Sequence, residues 1–210
     1  MKIHQVYWSF NGSDMPDLFK ECSLKIKEFS QQHGHKYKLW TKRTCETLIK
    51  KYPQYEELYH TAKYPVMKVD IIRFLILHKE GGIYFDMDIT PSVKELKDAP
   101  FIVSVYHDKG KVMYNMEVLQ SKKGNEFCLD YLNYVKLQVA EKDKIDIYKN
   151  WKCRYVLQTT GPKCLSRFIK KNKLLLDTYN VNNSTTNPNK MNLEGNEDFV
   201  SYPSGSWILF

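Results

Sequence analysis

Residues Lys68 to Pro91 read KVDIIRFLILHKEGGIYFDMDITP. Val69, Ile71, Ile72, Phe74, Leu75, Ile76 and Leu77 are apolar almost all round a helical wheel, which predicts a buried helix rather than a surface one. Asp70 and Arg73 stand three apart and share a face of it. A charged pair inside an apolar helix is costly unless both groups find partners, so it is either a self-satisfied structural bridge or part of a site. Gly81-Gly82 ends the helix, because glycine tolerates the backbone conformation needed just past a C-terminus. Ile83, Tyr84 and Phe85 suit a short buried strand, expected to end in Asp86-Met87-Asp88.

Residues two apart on a strand point to one side, roughly 6.5–7 Å apart along the backbone. Two carboxylates so placed invite a hard cation such as Mn2+ or Mg2+, which takes oxygen ligands and keeps positions open for phosphate. A bare D-x-D is most simply a solvated turn; behind a buried helix, a Gly-Gly stop and an apolar strand it is far more specific. An EF-hand is excluded by spacing, since position 6 counted from Asp86 is Pro91 and position 12 is Lys97. No Cys/His cluster has zinc-finger spacing.

Outward from this stretch, elements alternate. Ile3 to Phe10 reads as a strand. Ser13 or Asp14 can cap a helix running to about Gln32, with Leu18, Cys22, Ile26 and Phe29 as its apolar stripe. Tyr37 to Trp40 is a second strand, and helical pieces at Arg43 to Tyr52 and Tyr55 to Tyr64 lead into the central helix. Phe101 to Tyr106 and Val112 to Gln120 read as a hairpin-like pair of strands. Helices follow at Glu126 to Lys142 and Pro162 to Lys171, then an Asn/Ser/Thr-rich loop at Asn180 to Asn192. The order implies an α/β chain with a mostly parallel central sheet flanked by helices, read as a single domain over 1–210. In such sheets ligands sit beyond the carboxyl ends of the strands, which is where Asp86 and Asp88 fall.

Lys68-x-Asp70-x-x-Arg73 followed by Gly81-Gly82-Ile83-Tyr84-x-Asp86-x-Asp88 resembles the signature of the DXD sugar transferases, a group with the Och1-like mannosyltransferases, the capsular-sugar transferases and, more distantly, the clostridial glucosylating toxins. Ile3-His4-Gln5-Val6 is similar to that family's first strand, with Tyr7 where Trp is usual and Trp8 beside it. Tyr37-Lys38-Leu39-Trp40, Asn115, Thr160-Gly161-Pro162 and Gly205-Ser206-Trp207 match in order. The resemblance implies a Rossmann-like GT-A fold and transfer of a hexose from a nucleotide-diphosphate sugar, with UDP as the default base and GDP-mannose open. The acceptor would be a glycan, a lipid-linked sugar or a protein, and the anomeric configuration would be retained. It implies Asp86 and Asp88 as metal ligands, Asp70 and Arg73 on the donor sugar, and Asn115 bonding that sugar. Tyr7 or Trp8 would stack on the base, and Ser206 and Trp207 would close over the diphosphate. The family's His before the closing Trp is replaced by Ser201 and Tyr202, so water, phosphate or Asp198 would fill a third ligand place. An inverting enzyme would need a base, for which Glu117 and Asp198 are the candidates.

Two rivals remain. Ile83 to Thr90 also resembles the first motif of the haloacid-dehalogenase phosphatases, with Asp86 as nucleophile and Asp88 as acid/base. That motif usually opens its chain, its downstream acidic pair is not evident, and Asp70, Arg73 and Gly81-Gly82 would have no role. A non-catalytic nucleotide-sugar-binding module is the other, against which the intact Asp70, Arg73, Asp86 and Asp88 speak.

The net charge is +8, with lysines spread along the chain rather than gathered in one block, which reads as a solvated surface. No nucleic-acid-binding motif accompanies it, so no nucleic-acid partner is expected. Five cysteines without paired spacing fit a reduced, cytoplasmic setting. MKIHQVYWSF lacks the makings of a signal peptide, and no run is long enough for a transmembrane segment.

Overall fold

The computed structural model describes residues 1–10, 12–93, 95–108, 111–145, 151–183 and 198–202. Strand β1 (Lys2–Val6) leads through helix α1 (Asp17–Gln32) to β2 (Lys36–Trp40), and helices α2 (Lys42–Ile49) and α3 (Pro53–His60) lead to α4 (Pro65–Glu80). Strands β3 (Gly82–Phe85), β4 (Ile89–Pro91), β5 (Phe101–Asp108) and β6 (Lys111–Ser121) follow, then helices α5 (Phe127–Lys142), α6 (Lys152–Thr159) and α7 (Pro162–Lys171). Strands β7 (Asp177–Asn183) and β8 (Phe199–Ser201) complete the described elements.

The eight strands run in the order β2-β1-β3-β6-β5-β7-β8-β4. Four of the seven pairings are parallel (β1 with β2 and β3, β7 with β5 and β8), and β6 enters antiparallel between β3 and β5. Both faces of β3 are covered. Ile83 and Phe85 join the cluster under α1 with Ile26 and Phe29, while Tyr84 joins the larger cluster of α4, α5 and α7. A strand buried on two faces has no reason to alternate polar with apolar, which is why Ile-Tyr-Phe is continuous.

Helix α4 is the hub, with Ile71, Ile72, Phe74, Leu75, Ile76 and Leu77 fully buried. It stops where Gly81 takes φ 63° and Gly82 φ 101°. The turn is also a tight crossing: a Cβ on Gly81 would stand 2.7 Å from the Lys123 amide, and one on Gly82 would collide with the Lys2 carbonyl.

Several boundaries differ from the sequence reading. Strand β1 ends at Val6 rather than Phe10, because its partner β2 ends at Trp40, where Thr41 caps α2. Neither Ser13 nor Asp14 caps α1; Pro16 holds the N-cap position without a side-chain bond, and Asp17 supplies the first-turn charge. Residues 180–183 belong to β7 and not to a loop, since parallel pairing with β5 overrides their polar composition. Helix α6 was not anticipated. The rest of the Asn-rich stretch lies outside the described residues, as does most of 193–210, of which 198–202 supply β8.

Candidate active site around the DXD turn

Strand β3 stops at Phe85, and Met87-Asp88 forms a turn into β4. The expected strand alternation therefore does not set the relation of Asp86 to Asp88; backbone anchors do. The Asp86 amide donates to the Glu117 carbonyl at 2.8 Å, Gln5 Nε2 donates to the Asp86 carbonyl at 3.2 Å, and the Tyr202 amide donates to the Asp88 carbonyl at 2.9 Å. Three elements distant in sequence thus clamp one tight turn at the carboxyl end of β3.

Arg73 stands at the centre. Its Nη2 donates to Asp70 Oδ1 at 2.9 Å, its Nη1 to the Met116 carbonyl at 2.7 Å, and Nη1 lies 3.1 Å from Asp86 Oδ1. The guanidinium lies 4.7 Å from the ring centroid of Tyr84, whose hydroxyl donates to the same Asp86 oxygen at 2.5 Å. Asp70 Oδ2 accepts from Thr160 Oγ1 at 2.7 Å. Asp70 and Arg73 are 5% and 4% exposed, so this is a buried ion-pair network and not a surface one. Burial raises the Asp70 carboxyl, against the pull of Arg73 and Thr160. Burial also works against the Arg73 charge, but Asp86, Tyr84 and Asp70 outweigh it and hold the guanidinium protonated. Arg73 Nε is buried with no partner.

Glu117 follows Val118 back along β6 and sits against the turn. Burial, then the charges of Asp86 and Asp88, push its carboxyl up to about 7, against the hydrogen bond it accepts from the Tyr106 hydroxyl. The part of that rise owed to Asp86 and Asp88 reflects negative charge gathered at the turn, which a divalent cation would relieve. The donor set is all oxygen, which suits Mg2+ or Mn2+. Among the described residues no group of three His, Cys, Asp or Glu forms a complete metal cage, so phosphate and water oxygens would complete the shell.

The structure brings together Asp70, Arg73 and Asp86, with Asp88 two residues further along the same turn. Asn115 is close by: its Oδ1 accepts from the Met116 amide at 2.6 Å, and Met116 is the residue whose carbonyl anchors Arg73. Tyr7 and Trp8 are half-buried; Tyr7 meets Phe19 edge-on at 6.1 Å and Trp8 meets Phe10 edge-on at 5.6 Å. Ser206 and Trp207 lie outside the described residues. Asp198 does not join the turn. It precedes β8, whose Ser201 end lies by Ile89 and whose Phe199 end lies by Pro91, and its Oδ2 is bound to Lys97 at 3.1 Å and to the Asn180 amide at 2.8 Å. Sequence reasoning did not foresee the bonding of Tyr84 and Thr160, or the placement of Glu117 against both aspartates. Strand spacing could not have placed Glu117, because β6 is bulged against β5 between Asn115 and Leu119.

Residues 16–100 match the family model described as the glycosyltransferase sugar-binding region containing DXD motif. The match spans less than half of the chain. It takes in Asp70, Arg73, Asp86 and Asp88. Mannosyl phosphorylinositol ceramide synthase CSH1 of Saccharomyces cerevisiae is 26% identical over 174 residues, covering 81% of this chain and 42% of that protein. The related synthase SUR1 is 36% identical over 87 residues, covering 41% of this chain and 22% of that protein. An uncharacterized glycosyltransferase of Acanthamoeba polyphaga mimivirus is 35% identical over 136 residues, covering 62% of this chain and 52% of its own. The chain thus spans less than half the length of the two yeast relatives. Among solved structures, the PaToxG glycosyltransferase superposes with TM-score 0.54 at 14% identity, over 81% of this chain and 69% of that one. That likeness shows the fold, a GT-A glycosyltransferase fold. It leaves the phosphatase reading without support.

Proposed function

We propose that the chain catalyses transfer of a hexose, with mannose the first to test, from a nucleotide-diphosphate sugar to a hydroxyl acceptor, using a divalent cation held at the DXD turn. The observation that carries this reading is the Arg73 network: one buried cation joins Asp70, Asp86 and the β6 backbone, beside the Asp86–Asp88 turn and a carboxyl raised by burial and by those two aspartates. The mannosyl preference rests on the names of the yeast relatives.

The chain's own residues have distinct tasks. Arg73, preorganised by Asp70, Tyr84 and Met116, offers fixed positive charge to the donor, a term worth more in a buried site than in water. Asp86 holds Arg73 in place and, with Asp70, accepts from donor hydroxyls. Asp88 is the main protein ligand of a Mn2+ or Mg2+ ion. Bound there, the metal would act as a Lewis acid on the diphosphate leaving group. Asn115 bonds the sugar, Tyr7 or Trp8 meets the base, and Ser206 with Trp207 closes over the diphosphate. Transfer is assigned to retention. Glu117 is enclosed against the turn and accepts from Tyr106, while Asp198 is committed to Lys97 and the Asn180 amide of β7, so neither is free to face an acceptor as the base of an inverting attack.

The test is a thermal-shift screen with GDP-mannose, UDP-glucose, UDP-galactose and CMP- and dTDP-sugars, each with and without Mn2+, followed by transfer of labelled sugar. A melting shift for one nucleotide sugar that appears only with metal is expected. Shifts that ignore the metal, or none with any donor, would refute the reading.

A further inference from the structure

The pole opposite the DXD turn is built from the amino ends of the parallel strands. Helices α1, α4 and α7 each lead into such a strand, so their last turns converge there, beside the start of β1 and the end of β6. The register fixes this: Lys2 lies opposite Lys36, Gly82 and Phe101 both lie opposite Ser121, and Ile102 lies opposite Asp177. Lys2, Lys36, Lys122 and Lys123, far apart in sequence, line one cavity on this pole. From the end of α7 and its exit come Lys170, Lys171 and Lys173, all exposed, with Asp177 the first carboxylate after them. Glu80 pairs with Lys2, and Asp98 lies 3.5 Å from Lys122. Among the described residues no carboxylate lies within ion-pair distance of Lys36, Lys123, Lys170, Lys171 or Lys173.

Two residues past Lys173, on the way into β7, Leu175 is 100% exposed. Its exposure is enforced. Lys173 turns the chain at φ 50°, the Leu174 amide closes on the Ile169 carbonyl at 3.1 Å, and Leu174 and Leu176 both pack against the core. With both neighbours anchored inward, Leu175 is held outward. Met1 is also exposed at this pole.

We infer that this pole docks on an anionic lipid bilayer, the lysine ammonium groups against headgroup phosphates and Leu175 entering the interface. Lysine clusters at a membrane surface gain about 1 kcal/mol per residue, and an aliphatic side chain adds burial that a soluble polyanion cannot offer. The named residues include no arginine and no exposed aromatic, the groups that grip and stack on nucleic acid. Docked this way, the DXD turn faces away from the bilayer, and the acceptor reaches it from the aqueous side.

The test is co-sedimentation of the protein with vesicles of phosphatidylcholine alone and with a third of phosphatidylserine, at low and high salt. Binding is expected only to the anionic vesicles and is lost at high salt. The pair Lys170→Glu with Lys171→Glu should lower partition by about twenty-five-fold, roughly fivefold per lysine. The pair Lys20→Glu with Lys42→Glu, which makes the same charge change at the other end, should lower it far less. Leu175→Ser, which leaves charge and core untouched, should weaken binding severalfold. Absence of vesicle binding, equal loss with both charge pairs, binding undiminished by Leu175→Ser, or displacement from vesicles by an equal charge of duplex DNA would each overturn the inference.

Discussion

The two poles of this molecule carry charge in opposite ways. At the DXD turn, Asp70, Arg73 and Asp86 are buried or nearly so, and each holds its geometry through named bonds to Thr160, Met116 and Tyr84. At the far pole, Lys36, Lys123, Lys170, Lys171 and Lys173 are exposed and, among the described residues, lie beyond ion-pair distance of any carboxylate. Buried charge is expensive to desolvate and survives only in a satisfied network, so each member matters singly. Exposed charge is cheap, weak one residue at a time and effective only in sum. The first pole should therefore respond to single substitutions in stability and turnover, and the second hardly at all.

Arg73→Met should show the largest effect. It strands Asp70 and Asp86 around an apolar side chain, and a stability loss of about 3–5 kcal/mol is expected in denaturant unfolding, together with loss of transfer. A loss below about 1 kcal/mol would break the contrast between the poles. Asp88→Asn should separate chemistry from folding: transfer falls by about a hundred- to a thousandfold while the melting temperature moves little.

Glu117 and His4 then sharpen the comparison through pH. Burial holds His4 down at about 4, with Nε2 donating to the Gly81 carbonyl at 2.9 Å and Nδ1 accepting from Trp40 at 3.2 Å. Its folded form resists a proton that the unfolded chain accepts, so its contribution to stability falls as pH drops from about 6.5 to 4. Glu117 has the opposite sign. Its folded form keeps a proton that the unfolded chain gives up above about 4.5, so stability falls as pH rises from there to about 7. The two slopes oppose each other between about pH 4.5 and 6.5. Glu117→Gln should stabilise the protein by up to about 3 kcal/mol at pH 8 and by almost nothing near pH 4, exposing the His4 slope in urea midpoints measured across that range. An unchanged pH profile would show that Glu117 is not protonated in the folded state.

Thr160→Val should cost roughly 1.5–3 kcal/mol, the worth of a hydrogen bond to a charged group. Leu175→Ser is the smallest: within about 0.5 kcal/mol in stability, because a fully exposed side chain supports no packing. A large destabilisation there would mean that the far pole is built like the near one.

Much of the near pole was legible in the chain. Asp70 and Arg73 had to share a face because helical spacing dictates it, and Gly81-Gly82 had to end that helix because the chain crosses Lys2 and Lys123 there. Asp86 and Asp88 were recognisable from what precedes them. Their geometry was not, because strand alternation was expected where a turn clamped by Glu117, Gln5 and Tyr202 occurs. Thr160 was part of a recognised turn, yet its bond to Asp70 spans ninety positions in the chain.

By itself the sequence determined the order of strands and helices around α4, the place where α4 stops, and the residue types at the DXD turn. These follow from local spacing and conformational preference, which neighbours along the chain enforce. Only the tertiary structure decided which distant groups meet. The entry of β6 between β3 and β5 buried Glu117 against two aspartates and so raised its carboxyl to about 7. The convergence of helix ends brought lysines that read as evenly spread to the one end of the sheet where Leu175 is exposed. Burial and Coulomb energy depend on distance in space, and strand order fixes that distance where position along the chain does not.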